Sequence, residues 1–201
     1  MNNTLKTAIA AALVTGGIAL AAPASAGSYA NVQLAVSDVG YSSSYNGYGY
    51  SGFDNGITLV GTFGMTLPAV HKYFGWEAEI AKSVVNPEYS YSGTYYSYNF
   101  DYDYFNLGGY AVFTIPVHPK IDVRGRGGLV YHNYEVTYQY CDTWGTTWCS
   151  STSFSDSEIN PSVGGGAVFK VSPNLNLMAE LTAFNVSDES LHLSAGAQFK
   201  F

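Results

Sequence analysis

The chain has 201 residues, a formal net charge of −7 and only 11% charged side chains, beside 22 glycines and 18 tyrosines. An acidic balance without any basic run excludes nucleic acid as a partner. Beyond residue 26 no apolar run approaches the roughly 18 residues a membrane-spanning helix needs.

The first 26 residues read as a cleavable signal peptide. Lys6 supplies a positive start, "AIAAALVTGGIALAA" (Ala8–Ala22) an apolar centre, and Ala24-Ser25-Ala26 a small-x-small cleavage pattern before Gly27. Residues 27–201 are then the mature domain.

From there the chain repeats one pattern, apolar at alternate positions, which is the period of a β-strand with one greasy face. Ala30, Val32, Leu34 and Val36 make a short first strand. Ile57–Leu67 is the second, and Phe74–Val84 the third, with Trp76, Ala78 and Ile80 on one side. Phe105–Ile115, Ile121–Tyr131, Pro161–Val171, Leu175–Asn185 and Leu191–Phe201 complete the set. Each band is about 9–11 residues, the length a tilted strand needs to cross a bilayer. Links alternate: "PAVHKY", "PVHPK" and "SPN" are short, whereas Val39–Asn55, Asn86–Asn99 and Glu135–Asn160 are long. Even strand number and alternating link length predict an all-β, eight-stranded antiparallel up-and-down transmembrane barrel.

A soluble barrel would share the alternation but invert it, apolar inward. The other face decides between them, because it carries Glu77, Glu79, Asp122, Arg124, Arg126 and Glu180, with Lys170 and Lys200 lower down. Two mid-band arginines facing lipid would cost about 2–4 kcal/mol each. Turned inward, they meet the glutamates as a lumen charge network, in an interior that side chains just fill. A structural plug is the plain reading of that network, and a narrow ion-conducting path is the alternative.

The strand pattern, the link asymmetry and the terminal Gln198-Phe199-Lys200-Phe201 resemble the small outer-membrane barrels of the OmpA/OmpX type. The resemblance covers the whole mature chain and is architectural. It implies a bacterial outer-membrane location and an assembly signal at Phe199 and Phe201, read by the barrel-assembly machinery. It also implies contact with outer-membrane lipid and lipopolysaccharide. Unlike full OmpA proteins, the chain is not expected to carry a peptidoglycan-binding domain after the barrel.

Charge is divided along the axis. Lys72, Lys120, Lys170 and Lys200 fall at the periplasmic end, and Asp38, Asp54, Glu88, Asp101, Asp103, Glu135, Asp142, Asp156, Glu158, Asp188 and Glu189 at the outer end. Acidic loops repel lipopolysaccharide phosphates, so Lys82, near the top of the third strand, is the one candidate for a lipopolysaccharide contact. "YSSSYNGYGYSGF" and "YSYSGTYYSYNFDYDYF" use the Tyr/Ser/Gly vocabulary of binding loops. That fits adhesion to a host or neighbouring cell surface. The same residues also fit strands running on past the membrane, because Tyr98, Phe100, Tyr102 and Tyr104 keep the period of 2. Cys141 and Cys149 bracket "DTWGTTW", close together as an oxidising compartment allows, and are expected to form a disulfide.

His192-x-Ser194 is similar to an element of the lipid A deacylase barrels, with Glu180 or Glu189 as a conceivable third member. Its face is the lumen, and Ala195-Gly196 stand where that family has an Asn, so no enzyme is expected. His71, His118 and His132 lack partners in metal spacing. Gly164–Gly166 lacks the Lys-Ser/Thr of a phosphate loop and sits inside a strand, so no cofactor or metal is expected.

Overall fold

The computed structural model describes residues 27–38, 42–45, 48–51, 55–142, 144, 148–184 and 190–201. The signal-peptide reading of residues 1–26 therefore lies outside the described residues, as do the placements of Asp54, Asp188 and Glu189. The elements are β1 (Ser28–Asp38), β2 (Ser42–Tyr45), β3 (Tyr48–Ser51), β4 (Gly56–Thr66), β5 (Phe74–Val85), β6 (Glu88–Ser92), β7 (Tyr96–His118), β8 (Ile121–Asp142), β9 (Trp148–Lys170), β10 (Leu175–Phe184) and β11 (Ser190–Lys200).

Eight of these strands close a ring. β4 and β11 flank β1, the chain of neighbours runs β11-β10-β9-β8-β7, and β7 returns to β5, which pairs β4. Every pairing is antiparallel. β2 and β3 form a separate hairpin, and β6 adds to the far end of β7.

Within the band the two faces part as the alternation requires. Leu34, Leu107, Phe113, Ile115, Leu129, Leu181, Leu193 and Phe199 are exposed on the outside. Asn31, Gln33, Thr58, Glu77, Glu79, Asn106, Arg124, Arg126, Asn176, Glu180 and Gln198 are buried inside. A polar interior within a greasy belt is a membrane barrel and not a soluble one.

The structure corrects two link assignments. Within Glu135–Asn160, the described residues 135–142 and 148–160 are strand: β8 and β9 pair in unbroken register from Ile121↔Phe169 to Asp142↔Trp148. Asn86–Asn99 likewise holds β6 and the start of β7. β7, β8 and β9 thus reach 23, 22 and 23 residues, about twice a membrane-spanning strand.

Above the band the pattern keeps its period and reverses its polarity. The outward face of β7 changes from Phe105, Leu107 and Phe113 to Asp103, Asp101, Asn99 and Ser97, and that of β8 from Leu129 and Tyr131 to Asn133, Glu135, Thr137 and Gln139. The inward face becomes aromatic, and Tyr102, Tyr104 and Val136, with Phe100 and Tyr134 against them, form a second core over the lumen. Water instead of lipid surrounds this part, so the greasy residues turn inward.

Cys141 and Cys149 sit directly across from one another on β8 and β9 and are joined by a disulfide. Reduction should cost this hairpin roughly 2–3 kcal/mol. Amide exchange near Gln139–Ser151 should then rise while the barrel below stays protected.

Candidate functional site

The inward alternation of β5, β8 and β10 brings five of the six sequence-selected charges to one level of the lumen. Arg124 Nη2 lies 2.6 Å from Glu77 and its Nε 2.9 Å from Glu180. Arg126 pairs with Glu79 through Nη1 and with Glu180 through Nε at 2.6 Å. The sixth, Asp122, is a separate element: it pairs Lys170 at 2.5 Å nearer the periplasmic end.

Three further groups complete the cluster. The Tyr29 hydroxyl donates to Glu77 Oε1 at 2.8 Å, and the Tyr110 hydroxyl to Glu79 Oε1 at 3.3 Å. Thr182 accepts from Arg126 Nη2 at 2.8 Å and donates to Glu180 Oε1 at 3.1 Å. Five of the six carboxylate oxygens have a hydrogen-bond donor, and the sixth, Glu180 Oε2, has the Arg124 guanidinium 2.9 Å away as an ion pair without a hydrogen bond. Every buried carboxylate therefore has a countercharge, the condition under which buried ions are tolerated. The Arg126 guanidinium also lies 4.2 Å from the centroid of the Tyr110 ring, a cation–π contact. Three carboxylates against two guanidiniums leave the cluster with a formal excess of one negative charge.

Small residues make the room. Gly64 stands opposite Tyr29, and a Cβ there would come within 2.5 Å of the tyrosine ring. A Cβ at Gly164 would lie 2.8 Å from Thr182 Oγ1 and 3.2 Å from Arg126 Nε. Gly164, the first of the three glycines, thus admits the Arg126 side chain, a role for which charge patterning alone gives no signal. Tyr29 and Tyr110 escaped the sequence reading for a similar reason: each looks like one more tyrosine until its strand phase is known.

Above this cluster is a polar and aromatic layer. Tyr104 meets Thr58, and His192 Nε2 lies 3.2 Å from the Tyr104 hydroxyl. The Tyr102 hydroxyl lies 2.7 Å from His132 Nε2, and His132 Nδ1 faces the Asn106 side-chain amide oxygen Oδ1. That pattern assigns the proton to Nδ1 and leaves Nε2 to accept from Tyr102. Burial lowers the His132 pKa from its ordinary value, against the opposing pull of Glu158.

His192 and Ser194 do share the lumen face, but they serve different neighbours. The Ser194 hydroxyl donates to Gln33 Oε1 at 2.7 Å, with the Glu180 main-chain oxygen 3.3 Å away. His192 Nδ1 meets no hydrogen-bond partner among the described residues. The Glu180 carboxylate is held by both arginines. A nucleophile needs its hydroxyl on an imidazole that a carboxylate orients, and here each of the three points elsewhere. Ser194→Ala should leave the mass spectrum of lipid A unchanged when the protein is expressed in the outer membrane.

Lys82 lies on the outward face where the polarity reverses, with its ammonium on the Asp103 carboxylate. His71 and His118 each accept a hydrogen bond from the main chain two residues on, in Tyr73 and Lys120. No group of three metal-ligating side chains occurs among the described residues.

The ring, the polarity and the enclosed charges describe one architecture, and the sequence itself matches the model of the outer membrane protein β-barrel domain over residues 8–201. The chain belongs to that family. Its location is accordingly the bacterial outer membrane. No curated relative matches. Among solved structures the barrel is similar to Neisserial surface protein A (NspA), at 18% identity and TM-score 0.57 over 88% of this chain and 98% of that one. It is also similar to Ail of Yersinia pestis, solved with the heparin analogue sucrose octasulfate, at 17% identity and TM-score 0.49 over 87% and 100%. The N-terminal barrel of Pseudomonas aeruginosa OprF matches at 9% identity and TM-score 0.47 over 88% and 98%. These likenesses are of fold.

Proposed function

We propose that this outer-membrane β-barrel family member is a non-enzymatic surface-interaction protein. In this reading a sealed barrel carries an acidic outer sheet toward the exterior. The observation that carries the proposal is the outer sheet itself. Residues 86–105 and 132–160 hold Glu88, Asp101, Asp103, Glu135, Asp142, Asp156 and Glu158 and no lysine or arginine. A barrel built only to fill the membrane has no need of strands twice the required length.

The lumen cluster serves in this reading as a structural plug, supported by the arginine that each buried glutamate pairs with. Residues 1–26 act as the export signal, and Phe199 and Phe201 as the assembly signal for the barrel-assembly machinery. Lys82 remains the contact proposed for a lipopolysaccharide phosphate, in competition with Asp103 for its ammonium. No cofactor takes part.

Deleting Ser42–Gly52 together with Ser90–Ser97 should abolish attachment of expressing cells to a surface that binds the parent strain, while the barrel still migrates as a folded species on unheated gels. Undiminished attachment would sink the surface-interaction reading.

A further inference from the structure

We propose that the turns joining β4 to β5 and β7 to β8 bind the phosphodiester headgroup of an anionic phospholipid in the inner leaflet. His71, Lys72, His118 and Lys120 hold it. The site lies at the other end of the barrel from the acidic sheet and stands independently of the surface-interaction reading.

Strand pairing brings the two turns together. The Thr114 main-chain N–H donates to the Tyr73 carbonyl at 2.9 Å, so the β4–β5 turn lies against the end of β7 that leads into the β7–β8 turn. The His71 ring centroid is 5.5 Å from that of Tyr73 and 6.4 Å from that of Phe113. The Lys170 N–H donates to the Lys120 carbonyl at 2.9 Å, which adds the end of β9 to the same rim. The turns also repeat one composition, Pro68-Ala69-Val70-His71-Lys72 and Pro116-Val117-His118-Pro119-Lys120.

Both histidines are set in the same way. His71 Nδ1 accepts from the Tyr73 main chain at 3.3 Å, and His118 Nδ1 from that of Lys120 at 3.2 Å. An accepting Nδ1 places the ring proton on Nε2, and both side chains are exposed. Each turn therefore presents an N–H donor close to an ammonium. Lys72 lies over the Tyr73 ring, 4.6 Å from its centroid, which holds it at the depth of an interfacial aromatic. Neither Lys72 nor Lys120 pairs with a carboxylate among the described residues. Asp122, the acid nearest this rim on β8, is engaged by Lys170.

Charge and depth select the ligand. In a chain of net charge −7, four of the eight lysines and arginines, Lys72, Lys120, Lys170 and Lys200, stand at this end. Short turns mark it as the periplasmic end, so lipopolysaccharide lies in the opposite leaflet. The cell wall is anionic too, but the turns are greasy. Val70, Val117 and Val171 are 70%, 61% and 59% exposed, which water disfavours and the boundary between acyl chains and headgroups accepts. Just above, on the lipid-facing side, Phe74 and Phe113 pack edge to face at 5.2 Å and offer a surface to the acyl chain. A zwitterionic headgroup brings its own ammonium, which the lysines repel, so a headgroup of net negative charge is preferred.

The test is native mass spectrometry of the whole protein, released from detergent micelles holding equal amounts of phosphatidylglycerol and phosphatidylethanolamine. The wild type should retain phosphatidylglycerol in clear preference. Each rim lysine removed should weaken retention about fivefold, so K72Q/K120Q should lose most of it. H71N/H118N separates a built site from diffuse charge. The Asn Oδ1 takes the place of Nδ1 on the main-chain N–H, the outer donor is gone, and retention should fall several-fold. These positions are exposed, so both variants should still migrate as folded species on unheated gels. If a double variant misfolds, the single substitutions K72Q and H118N are read in the same way. Soluble glycerol phosphate, a headgroup without acyl chains, should not displace the lipid. Equal retention of the two lipids by the wild type, or indifference to K72Q/K120Q, would overturn the proposal. Unchanged retention in H71N/H118N would do so too, by reducing the site to a diffuse positive rim. Displacement by glycerol phosphate would assign the rim to a free phosphate ester. Co-sedimentation with purified cell-wall sacculi that K72Q/K120Q abolishes would assign it to the cell wall, and either result sinks the lipid site.

Discussion

Arg126→Ala should turn a sealed barrel into a leaky one. In planar bilayers the wild type is expected to show no steps, and the variant discrete conductance. Removing this guanidinium leaves Glu79 with only the Tyr110 hydroxyl and takes one of two cations from Glu180. Stranding buried charge in this way costs about 3–5 kcal/mol, a large fraction of a small domain's stability. Water entering the vacated space is the cheapest relief. Arg126→Lys should fall between, because one ammonium cannot reach Glu79 and Glu180 from opposite sides as the fork does. If Arg126→Ala were as silent electrically as the wild type and unfolded at the same temperature, the cluster would not be a plug.

The second large effect concerns where the membrane ends. Leu129 and Thr137 lie on the same outward face of β8. Leu129→Arg places a charge in the lipid band and should lower the folding free energy by about 2–4 kcal/mol. Thr137→Lys places one in water and should cost within about 0.5 kcal/mol. The contrast would be measured by denaturant unfolding in lipid vesicles. Equal costs would mean that the polarity reversal on β7 and β8 does not mark the bilayer surface.

That reversal also shows what was readable from the sequence and what was not. The eight crossings were legible because each is bounded by a short turn or a change of composition, and because Arg124 and Arg126 tell lumen from lipid by cost alone. The phase of Leu191–Phe201 is enough to put His192 and Ser194 in the lumen, where both are buried. The run of β7 past the membrane was legible as well, because Tyr98, Phe100, Tyr102 and Tyr104 keep the period of 2, but its polarity was hidden by a change of solvent: the side that is greasy switches near Asp103. Alternation reports two faces and is silent about what each one touches. The partners of the charge cluster were hidden for another reason. Tyr29 and Glu77, 48 positions apart, meet only after β4 has been set between their strands. Asp122 misled in the opposite way. It shares the lumen face with Arg124, but the tilt of the strands puts Lys170 beside it first.

The seam that closes the ring has a kinetic meaning. β1 lies against β11, so that Gln33 and Ser194, 161 positions apart, share a hydrogen bond. Whatever order the hairpins form in, the sheet keeps two raw margins until the final segment arrives, and closing so long a span is slow on entropic grounds. Until that moment the growing ribbon has to be shielded from its own kind, so a cell making this protein must hold it unfolded through the whole passage to the membrane.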